Sequence, residues 1–175
     1  LLAHPNIKES QANKALVDAV SDMEGVAVFN LYELSQEIAF NIDEWSKIIS
    51  DASAVIYQFP FYWMSAPSLL KKWQDEVFTF LSKTPAVAGK PLTVVTTTGS
   101  EYEAYRSGGR NRFTTDELLR PYQVSAIHSG MSWQTPIVVY GMGTADAGKN
   151  IAEGANLYKQ RVEMLIGSSN AGNNW

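Results

Sequence analysis

The chain has no cysteine among its 175 residues, only two histidines, and no block of basic residues. Without cysteine there is no disulfide, thiolate zinc site or thiol nucleophile, and the absence suits a reducing compartment. Acidic residues outnumber basic ones, 18 to 14, for a net charge of -4, so a nucleic-acid partner has little electrostatic support. No apolar run approaches the ~20 residues that span a bilayer, and no leader-like pattern opens the chain; a cytoplasmic protein is expected. There is no P-loop, no nucleophile elbow and no metal-ligand cluster, so no metal site is expected. An initiator Met is also missing, and the abrupt start at Leu1 implies that a few residues precede it.

What is present suits one globular domain. Hydrophobic residues make up 45% of the chain, and a domain of this size buries roughly 70% of its unfolded surface. The domain is expected over residues 1–166. The polar, small-residue end "GSSNAGNNW" (167–175) reads as a disordered tail.

Apolar spacing gives the order of elements. Leu1 to Ala3 reads as the stub of a strand. Ala12, Ala15, Leu16, Ala19, Val20 and Met23 recur at helical spacing, and Gly25 ends that helix. "VAVFNLY" (Val26 to Tyr32) is a second predicted strand. Asp43 is the predicted cap of a helix with Trp45, Ile48, Ile49 and Ala52 on one face. "AVIYQFP" (Ala54 to Pro60) is a third strand, and Pro67 opens a helix whose inner face carries Leu69, Leu70, Trp73, Val77 and Leu81. "PLTVVTTTG" is the fourth strand. "TTDELL" starts a helix at Thr114 or Thr115, which Arg120-Pro121 interrupts. "PIVVYG" is the fifth strand, and a last helix runs from about Asp146 to Ile166. Such alternation predicts a doubly wound α/β protein with a five-stranded parallel sheet in the flavodoxin-like order 2-1-3-4-5.

In that architecture ligands sit beyond the carboxyl ends of the strands, at the switch point. Three loops fall there. The first, "HPNIKESQAN", places His4 at a strand end and Ser10, Gln11, Ala12 and Asn13 at a helix start, where unpaired N–H groups and the helix dipole favour an anion; a plain N-cap is the competing reading of Ser10. The second, "FPFYWMSAP", sets Phe61, Tyr62, Trp63 and Met64 in a loop that should face water. Such exposure marks a flat apolar ligand or a protein contact. The third, "TTTGSEYEAYRSGGRNRF", begins with Thr97, Thr98, Gly99 and Ser100. It is long for an ordinary connection and carries Arg106, Arg110 and Arg112, for which solvation or pairing with Glu101 and Glu103 is the simpler reading. "GMGTAD" contains G-x-G without the rest of a dinucleotide fingerprint and reads as a turn.

The segments "AHP…SQAN", "FPFYWMSAPSLLKKWQDEVF", "TTTGSEYEAYRSGGRNRFTTDELLRPYQ" and "SGMSW" together resemble the flavodoxin-2 family of NAD(P)H quinone oxidoreductases. Within it they are most similar to bacterial flavoproteins that include ancillary subunits of glutathione-gated potassium efflux systems. The likeness covers Leu1 to about Leu165. It implies a flavodoxin-like fold, a homodimer, a bound flavin and NAD(P)H as co-substrate. FMN is expected over FAD, since no further segment offers to hold an adenosine. By the resemblance, His4, Ser10 to Asn13, Phe61 to Met64 and Thr97 to Ser100 bind the flavin phosphate, ring and ring edge, and Tyr105 stands near the ring as the catalytic candidate. The implied reaction is two-electron reduction of a quinone. Azo or nitro reduction would use the same site. A flavin-sensing subunit on a membrane potassium transporter, and a flavin-free signalling module, are readings from other classes. A receiver domain would need clustered acids where His4-Pro5 stands.

Overall fold

A computed structural model of the chain describes residues 1–34 and 39–172. Its centre is β2 (Pro91–Thr97), flanked in parallel by β1 (Val55–Pro60) on one side. On the other side β2 pairs first with β3 (Ser132–Trp133) and then with β4 (Ile137–Val139), both also parallel. Pro136, which has no N–H to donate, lies between those two segments. Both central strands are almost wholly buried, as expected when helices cover both faces of a parallel sheet.

The period-2 alternation of side chains assigns the two faces. Val55, Tyr57, Phe59, Leu92 and Val94 face a large aromatic core with residues of α3 (Ile42–Asp51), of α4 (Ser68–Trp73) with its continuation to Leu81, and of α7 (Arg120–His128). Val95, Ile137 and Val139 face α1 (Gln11–Ser21) and α8 (Ala147–Gly172) through Leu16, Val20, Tyr158 and Val162. A π-helical turn, Gln74–Phe78, joins α4 to the short α5 (Thr79–Leu81).

Several expectations are corrected. The segments 1–3 and 26–32 do not form strands. Leu2 alone makes a parallel bridge to Asn30 and another to Gln58, and Leu31 already begins α2 (Leu31–Leu34). The described sheet therefore has four strands: the flavodoxin-like α/β class holds, but its ladders do not spell out the five-strand order. Asn41, not Asp43, caps α3, its side chain accepting from the amides of Asp43 and Glu44; Asp43 lies in the first turn, where its charge suits the dipole. Thr114 caps α6 (Thr115–Leu118) with a complete capping box to Glu117. At the chain end α8 continues to Gly172, into the segment whose composition reads as disordered; residues 173–175 lie outside the described ones.

Candidate functional site

The carboxyl ends of β1 and β2, the start of α1 and the loop after β4 converge on a cavity of about 310 Å3. Ser10 opens α1, and its hydroxyl accepts the Asn13 amide at 3.1 Å. The cap reading is thus correct as far as it goes. The Ser10 hydroxyl also lines the cavity, as do Gln11 and Ala12, whose amides are first-turn donors without an intrahelical partner.

Asn13 is 1% exposed and tied to the sheet. Its Nδ2 donates to Thr97 Oγ1 at 3.0 Å, and its carbonyl accepts from Gln58 Nε2 at 2.8 Å. Its side-chain oxygen is buried with no partner among the described residues. The two ends of an amide are alike in shape. Turned over, Asn13 takes the Thr97 hydroxyl proton on Oδ1 and offers two N–H groups to a ligand.

His4 is 8% exposed, and its Nδ1 accepts the Asn6 amide at 3.1 Å. That bond fixes the neutral tautomer with hydrogen on Nε2. Burial holds its pKa below the usual imidazole value, so His4 serves as a neutral donor rather than a cation.

Of the residues singled out in the sequence, His4, Ser10 to Asn13, Phe61, Tyr62 and Thr97 to Gly99 meet around this cavity. Among the described residues no Lys or Arg lines it, so an anion there would be held by neutral donors and the α1 dipole. A Cβ built on Gly99 meets nothing within 4 Å, which leaves the backbone there open to close approach.

Four predicted residues are not on that wall. Trp63 and Met64 form the tip of a tight hairpin closed by reciprocal Tyr62–Ser65 backbone bonds of 2.8 and 3.0 Å. Both have positive φ, 47° and 63°, as a type I′ turn demands, yet neither is the Gly or Asn that such turns favour. Trp63 is 97% exposed. Tyr122 braces the turn: its hydroxyl accepts the Ala66 amide at 3.1 Å and lies 3.3 Å from Ser65 Oγ. Ser100 is turned into its own loop, its carbonyl accepting from Thr98 Oγ1 and the Gly141 amide and its Oγ accepting from Arg110. Tyr105 lies one ring away from the cavity, against Phe61 on one side (centroids 6.1 Å) and Tyr140 on the other (5.9 Å). Burial raises its pKa, opposed by a hydrogen bond with Ser100 and the charge of Arg110.

Sequence reasoning missed Pro60, Met142, Ala147 and Ile151, which complete the wall. The "GMGTAD" segment is a turn, as read, but it also docks on the third loop. Gly141, Met142 and Gly143 donate to the carbonyls of Ser100, Thr98 and Gly99. Gly141 has φ 77°, and a Cβ on Gly143 would stand 3.2 Å from the Gly99 carbonyl oxygen. Its position after the last strand was the available signal.

A flavin mononucleotide fits these residues. Its phosphate suits the free first-turn amides of α1 and the turned-over side-chain amide of Asn13, and its ring suits Phe61, Tyr62 and the open backbone at Gly99. The volume falls at the lower end of the roughly 300–1,000 Å3 of small-molecule sites.

An open parallel sheet covered on both faces, with a donor-lined cavity beyond its strand ends, defines a doubly wound α/β protein with a cofactor-type site. The chain belongs to the flavodoxin-2 family, of flavodoxin-like fold, whose model matches residues 1–162. Among relatives, General stress protein 14 of Bacillus subtilis (strain 168) is 35% identical over 94% of this chain and 95% of its own length. The uncharacterized NAD(P)H oxidoreductase YdeQ of the same organism is 35% identical over 94% and 85%. The glutathione-regulated potassium-efflux system ancillary protein KefG of Serratia proteamaculans is 36% identical over 80% and 79%. Among solved structures, general stress protein 14 of Treponema denticola in complex with FMN superposes with a TM-score of 0.84 (29% identity, 94% and 96% covered). An NADPH-quinone reductase from P. pentosaceus gives 0.78 (27%, 91% and 94%). A structure described as a thermophilic tryptophan halogenase from Streptomycin violaceusniger gives 0.85 (36%, 92% and 96%).

Proposed function

We propose that this protein binds FMN and reduces quinones at the expense of NAD(P)H. The observation that carries the reading is the cavity at the α1 start. It combines first-turn amides, the Ser10 hydroxyl, a neutral His4 and Asn13, whose orphaned Oδ1 marks the place where the turned-over amide would offer its N–H groups, with no cation among the described lining residues. That donor set is made for a phosphate ester. The FMN-bound relative and the relatives named for NAD(P)H and quinone chemistry support it. The halogenase name belongs to a chain of the same fold, and fold alone does not set chemistry.

FMN supplies the two-electron acceptance and donation. The chain's own residues do the rest. Ser10, Asn13 and the α1 amides hold the phosphate; Phe61 and Tyr62 cover the ring from one side and keep water off it. The amides of Gly99 and Ser100, for which no partner is found among the described residues, are the donors on this loop for negative charge that grows during reduction. Tyr105 supports Phe61 from behind and works through it, not on the reacting atoms. The flavin-binding domain spans residues 1–166, in the order 2-1-3-4-5, for which the two parallel bridges of Leu2 give support.

Acid release and chromatography of the cofactor, followed by steady-state kinetics with NAD(P)H and a water-soluble quinone, test the reading. FMN and parallel double-reciprocal lines are expected. FAD, or no flavin after reconstitution, overturns it. A second reading, a regulatory subunit on a membrane potassium transporter, draws on the likeness to KefG. Among the described residues no helix is long and apolar enough to cross a membrane, so membrane attachment in that reading runs through the partner.

A further inference from the structure

Beyond the β4 edge lies a second cavity of about 650 Å3, twice the size of the first, which the flavin reading leaves unused. Its walls combine Tyr102 and Tyr140 with the apolar side chain of Leu157, and two guanidiniums, Arg106 and Arg161, also line it. Neither arginine forms an ion pair among the described residues. Arg106 lies over the Tyr102 ring at 5.4 Å. Arg161 is anchored by one nitrogen, which donates to the Thr135 carbonyl at 2.7 Å, so its remaining donors are held ready. Among the described residues the wall carries one carboxylate, Asp116, at the first turn of α6. Flat aromatic faces beside two unpaired guanidiniums make a site for a planar base joined to a phosphate. The cavity touches the candidate flavin site through a single ring: Tyr105 lines it, and Phe61, on the flavin side, packs against Tyr105.

We infer that this cavity receives the adenosine-phosphate half of the nicotinamide dinucleotide, with adenine laid against the edge-to-face Tyr102–Tyr140 pair, whose centroids are 5.3 Å apart, and Arg106 and Arg161 gripping phosphate. The inference rests on the NAD(P)H reading above and deepens it. The nicotinamide end must reach the flavin ring, and the pyrophosphate bridge then passes over Tyr105. Because both cations are unpaired, the additional 2′-phosphate is welcomed, and NADPH is the preferred donor.

The test uses flavin-loaded protein and two readouts. Calorimetric titration with 2′,5′-ADP, which carries the adenosine and both phosphates but no nicotinamide, is expected to show binding. Arg106→Ala and Arg161→Ala are each expected to weaken it about tenfold, as loss of one charge-assisted bond does, while Arg161→Lys retains part of it. In steady-state assays the same variants raise KM for NADPH about tenfold, with a smaller rise for NADH and little change in kcat. Failure of 2′,5′-ADP to bind, binding indifferent to both arginines, or equal KM rises for the two nucleotides would overturn the inference. If the loaded protein oxidises neither nucleotide, the NAD(P)H reading fails instead, and the titration still decides whether the cavity holds an adenosine phosphate.

Discussion

Ser10 does two jobs that one substitution separates. Its hydroxyl caps α1 and faces the cavity. Glycine at an N-cap costs only a few tenths of a kcal/mol relative to serine, whereas a lost hydrogen bond to a charged phosphate costs roughly 1.5–3 kcal/mol. Ser10→Gly should therefore weaken FMN binding at least about tenfold with a barely altered melting temperature; unchanged affinity in a fluorescence titration would make Ser10 a cap alone. His4 gives a pH-dependent prediction. Its folded pKa is depressed by burial, so on acidification the unfolded chain takes up the proton first. Stability is full above the unfolded value of about 6.5, and falls as pH drops through that value towards the lower folded one. Urea midpoints at pH 7.5 and 5.5 should diverge in the natural chain and diverge less in His4→Asn.

At the level of elements, the Trp63–Met64 turn is the strained piece. Non-glycine residues in the left-handed region cost roughly 1–2 kcal/mol each. Such strain collects where side chains must be presented rather than packed, and Trp63 is nearly fully exposed. Met64→Gly should raise stability by roughly 0.5–1 kcal/mol once the entropy of glycine is set against the relief, and Trp63→Ala should leave the fold of each chain intact by circular dichroism; both should lower quinone turnover. Full turnover in both would remove the turn from the site. Tyr122→Phe keeps the ring that packs on Phe59 and Tyr57 but deletes the hydroxyl holding Ser65 and Ala66. A loss of about 1 kcal/mol is expected, with KM for quinone rising more than kcat falls; a pure stability loss with unchanged KM would mark Tyr122 as core only.

For the whole molecule, the exposed apolar side chains of Tyr62, Trp63 and Met64 lie on a hairpin beside the candidate flavin cavity, which Tyr62 also lines. A flat ring covers one side of such a hairpin. A second copy related by a two-fold axis would cover the other with the same patch, placing two sites at one interface, and each Å2 of apolar surface removed from water contributes about 25 cal/mol. Light scattering of the FMN-loaded protein at micromolar concentration is expected to give a dimer, and Trp63→Ala to shift it towards monomer. A monomeric natural chain would refute the homodimer.

The sequence by itself determined the class of fold and the neighbourhood of the site. Short, β-branched and largely apolar runs at Val55–Pro60 and Pro91–Thr97, bounded by turn residues, suit central strands of a sheet covered on both faces. Once those strands are parallel, the residues after them must meet at one end, so Phe61, Tyr62 and Thr97 to Gly99 were legible before any coordinate, while His4 and Ser10 to Asn13 were legible from an apolar stub followed by a helix-start pattern. Tertiary structure alone decided the rest. The pairing that reduced residues 26–32 to a single bridge at Asn30 depends on what stands opposite, which no local pattern records. The positive φ angles of Trp63 and Met64 run against residue preference and are imposed by the Tyr62–Ser65 closure and the Tyr122 brace. Met142, Ala147 and Ile151 enter the wall because the loop after β4 docks on Thr98, Gly99 and Ser100, across some forty residues of chain. Contacts of that kind are between partners distant in sequence, and their energy resides in the pair rather than in either segment.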